Sequence, residues 1–173
     1  MRPSCRLAGV NMLDEVLAAN AVFAEAFVAG QLPAPPARHL AVLTCMDARI
    51  MPLSVFGLKI GDAHILRNAG GRVTDDVLRS LLVSTHVLGV REIAVVHHTL
   101  CGMTTMNDEE MAAAVEAGSG RPPEGVEFHA ITDMELSLKE DVERLTGSGL
   151  LPPGTEIRGL EYDVRTGRLR QVV

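Results

Sequence analysis

Two short stretches carry the residue types that could do chemistry. Cys45-Met46-Asp47-Ala48-Arg49 follows the apolar run Leu40-Ala41-Val42-Leu43-Thr44, and His98-Thr99-Leu100-Cys101-Gly102 closes the apolar run Ile93-Ala94-Val95-Val96. Together they offer two thiols, an imidazole, a carboxylate and a guanidinium. Thiolates with an imidazole, and no carboxylate cluster nearby, favour zinc over harder cations. Three protein ligands, Cys45, His98 and Cys101, would leave zinc a fourth position for water or substrate, the arrangement of catalytic sites; structural sites close on a fourth ligand. Cys5 precedes an N-terminal helical arm and is not placed to be that ligand. The competing reading is two buried cysteines and a core histidine with no metal.

Asp47 and Arg49 separate these readings. Two residues apart in a loop, they can pair bidentately, and a carboxylate beside zinc can accept a hydrogen bond from bound water. Arg49 would keep Asp47 ionised and turned away from the metal. As an isolated pair, the two would be only a surface salt bridge of little energetic weight.

The elements that must position these residues emerge from the hydrophobic pattern. His39 to Cys45 is predicted as a strand, Pro52 to Leu58 as a short helix, Ala63 to Arg67 as a strand, Asp75 to Leu88 as a helix capped by Thr74, and Glu92 to His98 as a strand. That βαβαβ order implies a parallel sheet covered by helices, with ligands gathered outside the carboxyl ends of its strands. Cys45 ends the first strand, and His98 and Cys101 end the third. Successive strand residues face opposite ways, so His97 is read as structural and His98 as the ligand. His64 and His86 are read as packing or surface residues, and His129 as a weak proton-shuttle candidate.

Beyond this core, residues 10–30 have helical spacing, with Gly30 as the stop, and Pro33-Ala34-Pro35-Pro36-Ala37 forces an extended linker. Asn107 caps a further helix begun by Asp108, Glu109 and Glu110. Residues 118–127 form a loop, Ile131 to Leu145 a helix, and Glu156 to Val164 with Arg168 to Val173 a hairpin turning around Thr166-Gly167. The expected fold is α/β: a central, mostly parallel sheet flanked by helices, with an N-terminal helical arm and a C-terminal β extension. Residues 1–173 form one domain, the arm spanning 1–38 and the α/β core 39–173.

The bulk numbers set limits on the function. At 173 residues the chain can bury a sizeable core. A net charge of -6 provides no basic surface for nucleic acid or an anionic membrane. No uncharged run approaches the 18 or so residues needed to span a bilayer. Three cysteines are too few for a disulfide framework, which suits a reducing cytoplasm.

Cys45-x-Asp47-x-Arg49 followed by His98-x-x-Cys101-Gly102 resembles the paired signature of the beta-class carbonic anhydrases, in spacing and in strand context. The resemblance takes in Arg67-Asn68-Ala69-Gly70 and Thr74 to Leu88, covering residues 39–106 by motif and the remainder by architecture. It implies one zinc per subunit held by Cys45, His98 and Cys101, and reversible hydration of carbon dioxide to bicarbonate and a proton by zinc-bound hydroxide. Asp47 would orient the hydroxide and help pass the proton, Arg49 would fix Asp47, and backbone amides at Gly70 and Gly102 would hold bicarbonate.

The resemblance also implies a homodimer or higher homo-oligomer, with the first helix draped over a partner. The family's self-closing members carry a tryptophan three residues before the first ligand. Val42 stands there and the chain has no tryptophan, so an open site is expected. Leu100 departs from the polar residue common between the two later ligands. Hydrolysis of carbonyl sulfide or carbon disulfide is the alternative enzyme reading on the same site. A non-catalytic zinc- or bicarbonate-binding protein is the alternative from a different class.

Overall fold

The computed structural model describes residues 11–173, so Cys5 and the predicted helix start at Val10 lie outside the described residues. The chain divides into two compact units, 1–32 and 33–173. In the first, α1 (Met12–Glu25) is capped by Asn11, whose side chain accepts from the Leu13 N–H. It ends five residues before the predicted stop at Gly30. There Ala26 and Phe27 donate to Phe23 and Ala24, three residues back, which tightens and terminates the last turn. None of its residues is buried.

The second unit is built on a five-stranded sheet ordered β2-β1-β3-β4-β5, from β1 (Leu40–Cys45), β2 (Ala63–Asn68), β3 (Glu92–His98), β4 (Glu156–Asp163) and β5 (Arg168–Gln171). The first four strands are parallel and only β5 runs antiparallel, paired with β4. The predicted C-terminal hairpin extends the sheet, with β4 pairing along the whole of β3 from Glu92↔Glu156 to His98↔Tyr162. The strand order reverses at β1, which lies between β2 and β3. The connections leaving β1 and β3 therefore diverge, and a crevice opens outside the carboxyl ends of these strands.

Besides α1, the described residues form four α-helices that lie between strands: α2 (Pro52–Val55), α3 (Asp75–His86), α4 (Asp108–Ser119) and α5 (Met134–Gly147). Their starts are set by side chains satisfying backbone N–H groups. Thr74 accepts from Val77, Asn107 and Glu110 form a reciprocal capping box, and Asp133 accepts from Leu136. The Asp133 cap explains why α5 begins three residues after the predicted Ile131. Strand alternation divides the core in two. Ala41, Leu43, Ile93 and Val95 pack with Val77 and Leu81 of α3 and Leu138, Val142 and Leu145 of α5. Val42, Ala94 and Val96 face the other way, with Ile50, Leu58 and both described cysteines. No helix among the described residues is long and apolar enough to cross a membrane.

A short 3-10 turn at Ala69–Gly71 crosses the ends of β1 and β3, and Gly71 adopts φ 70°. A Cβ on Gly71 would sit 3.0 Å from Cys45 N, Thr44 C and Val96 O, all backbone atoms that cannot swing aside. Gly71→Ala should therefore cost about 2–4 kcal/mol, from strain and overpacking together. A denaturant titration measures it, and a midpoint equal to that of wild type would contradict this close approach.

Candidate metal centre

The crevice between β1 and β3 brings together three of the predicted residues. The ligand atoms of Cys45, His98 and Cys101 all lie within 4.8 Å of one another, and the two sulfurs are 3.9 Å apart. All three residues are buried. His98 Nδ1 lies 3.0 Å from the Thr99 carbonyl, which can only accept, so Nδ1 carries the hydrogen and Nε2 presents a lone pair. That Nε2 is buried with no hydrogen-bond partner among the described residues. A buried, unsatisfied acceptor beside two thiols is costly by itself and is what a soft metal ion would satisfy. The donor set therefore fits zinc.

The sulfurs are electrostatically unequal. The hydrogen bond shared with Cys101 is the largest influence lowering the Cys45 thiol, against the opposing effect of burial. The same hydrogen bond, with burial, pushes Cys101 up. The shared hydrogen bond favours ionisation of one sulfur over ionisation of both, and a cation placed between them would relieve that opposition.

Asp47 and Arg49 meet at the rim. Arg49 Nε donates to Asp47 Oδ1 at 2.9 Å and Arg49 Nη2 to Oδ2 at 2.6 Å, while the Arg49 backbone N–H reaches Oδ1 at 2.9 Å. These hydrogen bonds hold the Asp47 carboxyl well below the usual carboxylate range. Asp47 Oδ2 stands 3.8 Å from His98 Nε2, at the edge of the ligand cluster. Arg49 Nη2 also donates to the Leu100 carbonyl at 2.9 Å. Leu100 has φ 55°, a left-handed backbone that is uncommon for leucine, and its side chain is exposed.

Arg67 and Asn68, given no role of their own in the sequence, support the cluster. Arg67 donates to the carbonyls of Cys45 at 2.9 Å and Asp47 at 2.7 Å, bracing the whole loop from below. Asn68 clamps the glycine turn by accepting from Arg72 N–H at 2.9 Å and donating to Arg72 O at 2.7 Å. Gly70 adopts φ 80° in the turn, where a Cβ would come within 3.3 Å of Arg72, Ile131 and Met103. A Cβ on Gly102 would meet nothing within 4 Å, so no neighbour in the chain demands glycine there. His129 lies 3.6 Å from Glu127 and lines a surface cavity with Arg72, Asp108 and Glu140, which contains none of the five predicted metal and catalytic residues.

Behind the site, Asp141 is buried on α5. It accepts from His97 Nε2 at 3.1 Å, Arg72 Nε at 2.8 Å and the Val73 N–H at 3.1 Å. Burial acts to raise its carboxyl, but His97 and Arg72 outweigh it and the net shift is downward. A folded value below the unfolded one contributes stability in full above about pH 4, lost as pH falls through the folded value. The unfolding midpoint should thus drop on acidification below about pH 4. In Asp141→Asn that part of the decline should be absent, and an unchanged pH profile would contradict it.

A profile of the carbonic anhydrase family matches residues 40–121. Beta-carbonic anhydrase 1 of Mycobacterium tuberculosis is 41% identical over 166 residues, spanning 94% of this chain and 99% of that protein. The carbon disulfide hydrolase of Acidianus sp. is 36% identical over 160 residues, spanning 79% of this chain and 78% of that one. Among solved structures, the carbonic anhydrase from Streptococcus mutans superposes with a TM-score of 0.90 at 41% identity, covering 95% of this chain and 99% of that one. With the thiol-imidazole cluster at the switch point of the sheet and similarity running nearly end to end, the chain belongs to the beta-carbonic anhydrase family.

Proposed function

We propose that this protein catalyses the reversible hydration of carbon dioxide to bicarbonate and a proton, using one zinc per chain held by Cys45, His98 and Cys101. The observation that carries this reading is the convergence of those three ligand atoms beside an Asp47-Arg49 ion pair that metal binding alone does not require. When bound, zinc supplies a Lewis acid that makes hydroxide available near neutral pH, as in carbonic anhydrases generally.

The chain's own residues do the rest. Val42, Ile50, Ala94, Val96 and Ile131 cluster with the two cysteines, giving an apolar wall that suits a small gas and sheds water. Arg49 holds Asp47 ionised with both oxygens engaged, so the carboxylate is turned toward the guanidinium; this supports an open site. From that position Asp47 accepts a proton or a hydrogen bond at the cluster edge and so orients the attacking oxygen. In this reading the bicarbonate oxygens fall to the backbone amides at Gly70 and Gly102.

The working unit in this reading is a cytoplasmic homodimer or higher homo-oligomer. Two observations support association: a groove of about 360 Å³ on the sheet, floored by Leu40, Val42, Phe56, Leu58, Ala94 and Leu160, and the exposed Leu13, Val16, Leu17 and Phe23 of α1. The two described cysteines are free thiols, which suits a reducing compartment.

Similarity to a carbon disulfide hydrolase keeps a second reading, hydrolysis of the sulfur analogues on the same site. Zinc-loaded protein given each gas in turn separates them. Turnover of carbon dioxide well above that of carbon disulfide is the expected result, and the reverse preference would favour the second reading. Acceleration of neither would leave a zinc-binding protein without this activity.

A further inference from the structure

Asp141 lies on the opposite side of β3 from the ligands, yet its contacts lead to the site along two routes. One runs through His97, fully buried and adjacent to the ligand His98 on β3. The other runs through Arg72, whose guanidinium also donates to the carbonyls of His129 and Ala130, and whose backbone is locked at both ends by the Asn68 carboxamide. That lock closes the turn holding Gly70 and Gly71, and Gly71 lies so near the end of β1 that a Cβ there would sit 3.0 Å from Cys45 N. One buried carboxylate therefore ties down the neighbour of one proposed ligand and the turn that supports another.

We infer that Asp141 is a positioning residue for the metal centre: through His97 and Arg72 it fixes the spacing of His98 from Cys45. This rests on the ligand assignment proposed above. It touches neither substrate nor metal. An acid there for packing alone would be a poor choice, because a buried carboxylate needs every partner it has. None of its three donors is itself a ligand, so the support acts at one remove, through the strand that carries His98 and the turn beside Cys45.

The test uses His97→Leu, which removes one arm while leaving Asp141 paired with Arg72, His97→Gln, which keeps an N–H for Asp141, and Asp141→Asn. Each is loaded with zinc, with affinity read by competition against a chromophoric chelator, and with cobalt, read by its thiolate charge-transfer and ligand-field bands. His97→Leu and Asp141→Asn should bind zinc about 10–100-fold more weakly and shift the cobalt bands, while His97→Gln stays close to wild type. Should Asp141→Asn fail to fold, the two His97 variants decide. Wild-type affinity and bands in His97→Leu would overturn the positioning role and leave the ligand assignment standing. A wild-type cobalt protein without thiolate bands would overturn both.

Discussion

Asp47→Ala should retain zinc and lose about 10²–10⁴-fold in carbon dioxide hydration. The expectation comes from where Asp47 stands. It is not among the three convergent ligand atoms, its oxygens are both engaged by Arg49, and it borders the cluster 3.8 Å from His98 Nε2. Removing it takes away an acceptor fixed in place and charge state, and leaves Cys45, His98 and Cys101 as they were. Stopped-flow rates with metal content measured on the same samples check this. Equal loss of zinc and activity would make Asp47 structural, and full activity would remove it from the mechanism.

Cys101→Ser should lose zinc and activity together. Cys101 closes the ligand set from a loop whose backbone is held by Thr104, which donates to the Cys101 carbonyl from both its N–H and its hydroxyl. The sheet needs nothing from the sulfur, so the variant should fold. A serine hydroxyl is a hard, weakly acidic donor and a poor replacement for a thiolate on zinc. Metal analysis after dialysis should find little zinc in the variant and one equivalent in wild type. A variant that retains one equivalent would mean that Cys101 is not a ligand.

How much of this was legible in the sequence depends on the kind of signal. The ligands were legible because each comes just after an apolar run long enough to be a buried strand, and parallel strands deliver the residues at their carboxyl ends to one edge. His97 and His98 were separable by strand alternation alone, and the structure places His97 against α5 and His98 with the cysteines. The pairing of β4 with β3 was not legible, because it joins segments separated by two helices and a loop, and strand partners leave no local mark. Helix α1 was overextended because periodicity continues past Glu25 while the backbone bonding does not.

Asp141 was missed although a signal existed. Leu138, Val142 and Leu145 mark the apolar stripe of α5, and Asp141 falls on that stripe, where a carboxylate must have buried partners. Its donors, Arg72 and His97, come from distant segments, so their identity needed the fold. Arg67 stood out only through the family resemblance. Its hold on two carbonyls of the ligand loop is a main-chain contact, which residue type does not announce.

The central claim is that the three convergent ligands hold one zinc per chain and that this zinc supports hydration of carbon dioxide. Titrating metal-stripped protein with zinc while monitoring the hydration rate tests it most directly. The rate should rise linearly and level off at one equivalent per chain, and Asp47→Ala should bind the same equivalent with little gain in rate. A rate that stays at the uncatalysed level through one bound equivalent would contradict the claim.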